Sequence, residues 1–191
     1  MPPSPRERMI QSAALLFREH GIAATSFADV IEHSGAPRGS IYHHFPGGKA
    51  QLAEEATRYA GQYIAAAITQ AGEADPAAVI RHFVAFWRTA LEASDFAAGC
   101  PVAAAALQGD QAPGARDAAG AAFAHWQELT AGMIERRGVS AKQARSMAAL
   151  AVAAIEGAIV MARAQRSAQP LEQVGAALEA LASGAPAETA E

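Results

Sequence analysis

Residues 25–49, TSFADVIEHSGAPRGSIYHHFPGGK, carry the clearest structural signal in this chain. Ser26 precedes Asp29 by three residues, which is the spacing of a capping box at the start of a helix. Gly35 offers the left-handed residue that ends such a helix, and Pro37 suits the first turn of the next one. Two short helices joined by a tight turn that contains glycine predict a helix-turn-helix, whose second helix can enter the major groove of DNA.

The second of these helices has a core face and outward faces. Ile41 and Phe45 lie four residues apart and are expected to point into the core. The candidate DNA contacts around them are Arg38, Gly39, Ser40, Tyr42 and His43. The Arg38 guanidinium can donate to a guanine edge or to a phosphate, and the Ser40 hydroxyl can reach a base edge. Rings with polar tips can pack on the sugar-phosphate backbone, and glycine allows close approach. The alternative is that these are only surface residues of a small helical bundle.

Phosphate contacts are predicted at two further places in this stretch. Thr25, Ser26 and the backbone amides beside them lie at a helix N-terminus, where unpaired N–H groups favour an anion. Lys49, one of only two lysines in the chain, lies at the start of the following helix and adds a positive charge.

The first third of the chain resembles the DNA-binding domain of the tetracycline-repressor (TetR) family of bacterial transcription regulators. The resemblance extends over residues 6–59 and is carried by ERMIQSAALLFREHG, TSFADVIEHSG and GSIYHHFPGGK. The variant GSIYHHFPGGKAQL, with Gly99-Cys100-Pro101-Val102 further on, is similar to drug-responsive repressors of the LmrA/YxaF type. The rest of the chain resembles the family only in length and helical character.

No alternating pattern typical of strands is sustained, so the sequence predicts an all-α fold. An N-terminal three-helix helix-turn-helix head is expected at residues 1–48, on a helical ligand-binding and dimerisation body at residues 49–191. A helix ended by Gly21 should open the head. A coupling helix over residues 49–70 should keep Leu52, Ala56, Tyr59, Tyr63 and Ala67 on one face. Breaks are predicted at 72–76 and 109–114, and frayed ends at 1–4 and 183–191.

Composition narrows the class of protein. Hydrophobic residues make up 51% of the 191 residues and charged residues 18%, so a sizeable core is possible. The net charge is −4, but residues 1–49 carry five basic and four acidic side chains and are the less acidic part. No apolar run approaches the ~20 residues that span a bilayer, and the N-terminus lacks a signal peptide's apolar stretch. We therefore expect a cytoplasmic protein with no membrane partner.

A single cysteine, Cys100, rules out a disulfide within the chain, and no Cys/His cluster has zinc spacing, so neither metal nor cofactor is predicted. Cys100 lies at a predicted helix start, where the helix dipole could lower a thiol pKa. A redox sensor normally needs a second thiol, which the chain lacks. A packing role is therefore the better interpretation of this thiol.

The family resemblance implies a ligand cavity inside the body. The candidate lining residues are Phe83, Phe86, Trp87, Cys100, Phe123, Trp126, Met133 and Met147. Each alone is as expected in an ordinary core, but together they would line a cavity rich in aromatic and flexible sulfur contacts. His82, His125 and Gln127 are candidate polar groups within it.

The last two long helices, predicted at 141–165 and 171–181, are rich in small residues. They either pack within one chain or build a dimer through a four-helix bundle, as the resembled family does. The resemblance implies a transcriptional regulator, usually a repressor, that binds a near-palindromic double-stranded DNA operator as a homodimer. A small apolar or aromatic effector would release it.

Two other functions are weaker on the sequence. A helical enzyme could use His82 or His125 as a general base, but no nucleophile–base pair or metal spacing accompanies them. A carrier of apolar ligands could have lost its operator. Only DNA-binding data separate that carrier from a regulator, and the expectation is that the chain is not an enzyme.

Overall fold

The structure, a computed structural model, describes residues 2–71, 75–108 and 112–183. The helices in chain order are α1 Pro5–Ala24, α2 Phe27–Ser34, α3 Ser40–His44, α4 Gly48–Ala71, α5 Pro76–Ala93, α6 Pro101–Ala106, α7 Pro113–Glu135, α8 Ala141–Gln165 and α9 Gln169–Ser183. They make up 82% of the described residues, which contain no strand, so the all-α prediction is confirmed. Of the breaks predicted at 72–76 and 109–114, residues 72–74 and 109–111 lie outside the described residues, as do Met1 and the tail from 184 onward. The helices α5 and α7 begin at Pro76 and Pro113, inside the two predicted breaks.

The chain divides into two compact units. The first comprises Met1–Ala65 and Gly99–His125, and the second comprises Ala66–Ala98 and Trp126–Glu191. The divisions fall inside α4 and inside α7. Each of these two helices therefore contributes residues to both units.

In the first unit, α1 starts with a capping box in which the Ser4 amide donates to the Glu7 carboxylate at 2.7 Å. Its buried face includes Met9, Ile10 and Phe17. The helical conformation is interrupted at Gly21, whose φ is 80°, and resumes as far as Ala24. Gly21 thus breaks the helix where the sequence predicted an end, and one further short turn follows.

The helix-turn-helix consists of α2 and α3. Ser26 and Asp29 form the predicted capping box, and Gly35 ends α2 in the left-handed conformation with φ 61°. Pro37 differs from the prediction because it precedes α3 instead of lying in its first turn. Its carbonyl accepts from the Ser40 amide at 3.0 Å, so a tight turn occupies these residues before helical pairing begins.

The coupling helix, α4, runs one residue beyond each end of the predicted range. Its buried residues are Leu52, Ala53, Ala56, Thr57, Ala60, Gly61, Ile64, Ala65 and Ile68. Tyr63 was placed on this face wrongly, since it is 57% exposed. Gly61 allows α7 to approach closely, because a Cβ there would lie 2.7 Å from the Ala122 Cβ.

The second unit packs α5 and α8 against α9. The buried residues of α5 are Ala77, Trp87 and Leu91. At Gly175 on α9 a Cβ would lie 2.5 Å from a methyl carbon of Val84, so glycine is what permits this close helix contact. An ion pair from Arg81 to the α9 carboxylate of Glu179, at 2.8 Å, links the same two helices at the surface.

The helix α8 has the predicted bounds, and Ser140 caps it by accepting from the Gln143 amide. Contrary to expectation, α8 is long and apolar enough to cross a membrane by length and composition. Only 22% of its apolar stretch is buried in this chain. One such helix is weak evidence for a membrane, since a helix that packs within a protein passes the same test. It does mean that α8 presents apolar side chains that this chain does not cover.

Candidate nucleic-acid interface

Buried and exposed side chains alternate along α3 as the sequence predicts. Ile41 is 0% and Phe45 1% exposed, which confirms that both point into the core. Tyr42, between them, is 69% exposed. His43 on α3 and Arg38 in the turn before it are also exposed, so three polar side chains project beside the two buried ones.

Local contacts hold the outward-facing residues of this segment. The Ser40 hydroxyl donates to the Pro37 carbonyl at 2.7 Å, so its proton serves the turn while its oxygen can still accept. The Tyr42 ring meets the Phe27 ring edge-on, with centroids 5.5 Å apart. This contact restrains the Tyr42 ring although most of the residue is exposed. Gly39 is exposed, and a Cβ there would meet nothing within 4 Å in this chain.

The N-terminus of α2 is arranged differently from the prediction. Thr25 is only 2% exposed, and its hydroxyl donates to the Gly21 carbonyl at 2.9 Å, so this side chain serves the fold. The Ser26 amide donates to the Asp29 carboxylate at 2.7 Å, and the Ser26 hydroxyl accepts from the Asp29 amide at 3.2 Å. Helix geometry leaves the first-turn amides without a partner in the helix, and the capping box takes up those of Ser26 and Asp29 but not those of Phe27 and Ala28.

Asp29 is a carboxylate at the place where a phosphate was predicted. Hydrogen bonds from the Ser26 backbone and side chain hold the pKa of Asp29 below its usual value, and positive charge at His20 and Lys49 adds to this. Asp29 is therefore ionised at neutral pH and satisfies part of the helix N-terminus itself. The contact between Asp29 and the helix N-terminus follows from the sequence, since Ser26 and Asp29 have the spacing of a capping box.

Lys49 joins the start of α4 to the segment that precedes α2. Its ammonium donates to the Ala23 carbonyl at 2.9 Å. A lysine ammonium has three N–H donors, so this bond leaves others available to a phosphate. The bond also fixes where those donors lie relative to the N-terminus of α2.

The eight candidate ligand contacts are divided between the two units. Cys100 and Phe123 belong to the first unit, whereas the other six belong to the second. Trp87 is 4% and Trp126 2% exposed, and Met133 is also buried. Phe83, Phe86, Phe123 and Met147 are half-buried.

The polar candidates of the body are less enclosed than a buried ligand site requires. His82 and His125 are exposed, and Gln127 is half-buried. Cys100 is buried at the N-cap of α6, as a packing role requires. Within the described ranges, no three His, Cys, Asp or Glu side chains are grouped as a metal site.

A helix-turn-helix head joined to an all-helical body defines a DNA-binding transcription regulator. The family model for bacterial regulatory proteins of the tetR family matches residues 9–56. The model described as transcriptional regulator LmrA/YxaF-like, C-terminal domain, matches residues 76–177. The chain belongs to the TetR family and, within it, to the LmrA/YxaF-like group.

Individual relatives agree with this assignment. An uncharacterized HTH-type transcriptional regulator of Mycobacterium tuberculosis is 45% identical over 177 residues, which are 89% of this chain and 90% of the relative. The HTH-type transcriptional regulator LmrA of Bacillus subtilis is 31% identical over 91% of this chain and 94% of its own. These relatives also confirm that the chain is a regulator and not an enzyme.

Solved structures share the fold. A TetR transcriptional regulator from Legionella pneumophila superposes with a TM-score of 0.82 at 22% identity, over 95% of this chain and 99% of its own. A TetR transcriptional regulator from Chloroflexus aurantiacus superposes with a TM-score of 0.75 at 29% identity, over 95% of both chains.

Proposed function

We propose that this TetR-family regulator is a cytoplasmic repressor that binds a near-palindromic operator as a homodimer and leaves it when a small apolar or aromatic molecule binds. Regulators of this family bind DNA operators and usually act as dimers. The observation that carries the proposal is α3 itself. Its buried Ile41 and Phe45 fix the helix, while Arg38, Tyr42 and His43 are exposed.

On DNA, each exposed group has a separate role. Arg38 donates to a guanine edge, where a bidentate contact reads sequence, and the Ser40 oxygen accepts from a base or a water. Tyr42 and His43 pack and hydrogen-bond along the sugar-phosphate backbone. Gly39 has no side chain and so lets the DNA approach the backbone closely. Because nothing in this chain approaches Gly39, any requirement for glycine there would come from the DNA.

The phosphate contacts lie beside α3. With Thr25 buried and the Ser26 amide bound to Asp29, the amides of Phe27 and Ala28 are the better donors at the start of α2. Lys49 supplies the positive charge there and offsets the Asp29 carboxylate.

The dimer forms through the apolar surface of α8 and α9. Leu150 is 54%, Val160 57%, Met161 43% and Leu181 60% exposed in a single chain. Exposed apolar side chains of this size on two neighbouring helices favour a partner surface, and a two-fold contact covers the same patch on both copies. Two α8–α9 pairs together make a four-helix bundle.

The effector would bind among the six aromatic and methionine side chains of the second unit. It would act on the head through α4, which both units share. The coupling that this requires is modest, because each tenfold weakening of DNA binding corresponds to about 1.4 kcal/mol. A repressor role is favoured by a stretch of 57 residues, 30% of this chain, that is 40% identical to a protein named the HTH-type transcriptional repressor KstR2.

The effector site is tested with Trp87 and Trp126, the only tryptophans and both buried in the second unit. An aromatic compound that releases the operator should quench their fluorescence over the same concentration range. Trp126→Phe should raise the concentration needed for release while operator affinity of the free protein stays within a few-fold, because the head is untouched. Phenylalanine is the safer substitution, since a buried Trp→Ala change costs about 3–5 kcal/mol of stability.

Melting temperatures of both Phe variants are the control for stability. If Trp87→Phe and Trp126→Phe both leave release by a panel of small aromatic compounds unchanged, the tryptophans are ordinary core. The effector site then lies elsewhere.

A further inference from the structure

Arg6, near the start of α1, contacts both the end of α3 and the first third of α4. Its Nη2 donates to the two carboxylate oxygens of Glu55 at 2.7 Å and 2.5 Å. Its guanidinium carbon lies 5.2 Å from the centroid of the Phe45 ring. Phe45 is the residue that ends α3, where its amide donates to the Ile41 carbonyl at 2.8 Å. One arginine therefore joins the end of α3 to a carboxylate on α4.

A second chain of hydrogen bonds reaches the same carboxylate. Gln51 donates from Nε2 to Glu55 Oε1 at 3.0 Å. Its Oε1 accepts from the Gly47 amide at 2.8 Å. Glu55 therefore contacts the end of α3 in two indirect ways. By way of Gln51 it holds the backbone that follows the helix, and by way of Arg6 it holds the Phe45 ring.

The orientation of α3 depends on such contacts because the helix is short. α3 has five residues, far fewer than a helix needs to be stable alone, so tertiary contacts must set its orientation. The Glu55 side chain is 22% exposed and the Arg6 side chain 41%, so the pair is partly shielded from solvent. The Arg6 Nη2 contacts both Glu55 oxygens, and the guanidinium also lies over the Phe45 ring, so the Arg6 side chain is restrained at two places.

We propose that Arg6 and Glu55 are positioning residues for DNA recognition. By clamping Phe45 they hold α3 at the angle at which Arg38 reads base edges, and they touch no DNA themselves. The proposal rests on the operator binding proposed above. It predicts that loss of the pair lowers the preference for operator over random sequence more than it lowers affinity for DNA in general.

The chain offers a matched control for Glu55→Gln. Glu54 is the neighbouring residue on α4 and pairs with Arg58 on the same helix, at 2.5 Å. Glu54→Gln and Glu55→Gln each remove one negative charge at nearly the same place, so their long-range effects on DNA attraction should match. We expect Glu55→Gln to lower the operator-to-random affinity ratio about tenfold, and Glu54→Gln to change it less than about twofold.

A measurement without DNA separates positioning from recognition. In the free protein, hydrogen exchange of the Phe45 amide should be faster in Glu55→Gln than in wild type and unchanged in Glu54→Gln, with α8 amides unaffected in both. Unchanged exchange at Phe45 overturns the proposal whatever the DNA results are. If the wild-type protein shows no operator preference but Phe45 responds as expected, the proposed function fails and the clamp stands.

Arg6→Gln distinguishes positioning from direct phosphate contact. Positioning predicts the same loss of affinity ratio as Glu55→Gln, and a double variant no worse in ratio than either single one. A phosphate contact predicts an equal loss on operator and random DNA, with the salt slope reduced by about one. That second result would overturn the proposal.

Discussion

The variant Val160→Arg is expected to be a folded monomer that no longer binds the operator tightly. Val160 is 57% exposed on α8, so the new charge meets solvent in a single chain but an apolar surface in the proposed dimer. An unpaired charge buried there disfavours association by several kcal/mol. Because a monomer carries one recognition helix and a two-fold operator needs two, operator affinity should fall at least about a hundredfold. Sedimentation velocity gives the oligomeric state, and anisotropy with labelled operator gives the affinity.

Leu107→Arg is the control for this change. Leu107 is 82% exposed directly after α6, outside α8 and α9, so the same substitution should leave both the dimer and operator binding intact. A Val160→Arg protein that remains dimeric and binds as wild type would show that this face of α8 is not the interface.

Arg38→Ala is expected to change which sequences are bound, whereas Lys49→Ala should weaken all of them. If Arg38 makes a bidentate base contact, its loss should relax preference at particular base pairs, each by about 1–3 kcal/mol. Lys49→Ala removes a phosphate donor, which carries no sequence information, so affinity should fall uniformly and the salt slope should flatten. The measurement is affinity for the operator, for its single-base variants and for random DNA.

Lys49 and Arg38 act as controls for each other, since both variants remove one positive charge from the same head. An equal loss on operator and random DNA in Arg38→Ala would make Arg38 a backbone contact. A loss confined to particular base pairs in Lys49→Ala would equally contradict its assignment to a phosphate.

Local signals in the sequence predicted much of the head. The Ser26–Asp29 capping box, the left-handed Gly35 and the buried pair Ile41 and Phe45 each depend on residues a few positions apart. Such features follow from helix geometry and side-chain chemistry alone. The same holds for α8, which has its predicted bounds because Ser140 caps one end of it.

Other features depend on contacts between distant parts of the chain, which periodicity does not reveal. Threonine is a residue type typical of exposed helix caps, but the Thr25 hydroxyl donates to the Gly21 carbonyl and the residue is buried. Tyr63 was assigned to the buried face of α4 but is exposed, because the buried stripe follows a four-residue spacing through Ile64. The contact between Arg6 and Glu55 joins residues 49 positions apart in sequence, and no local sequence pattern predicts it.

The environment of α8 could not be predicted from the sequence, for a different reason. An alanine-rich helix fits an interior, a membrane or an interface equally well in sequence. The structure of one chain leaves Leu150, Val160 and Met161 exposed, which is the observation that favours an interface.

Operator binding is tested with the DNA upstream of the protein's own gene, by footprinting and by measuring affinity at increasing salt concentration. A dimeric operator-binding regulator predicts two protected half-sites related by a two-fold axis and one dimer per site. It also predicts that the logarithm of the affinity falls linearly with the logarithm of salt concentration, since phosphate contacts release counterions. A single asymmetric half-site, binding that is indifferent to salt, or no preference for any upstream sequence would contradict it.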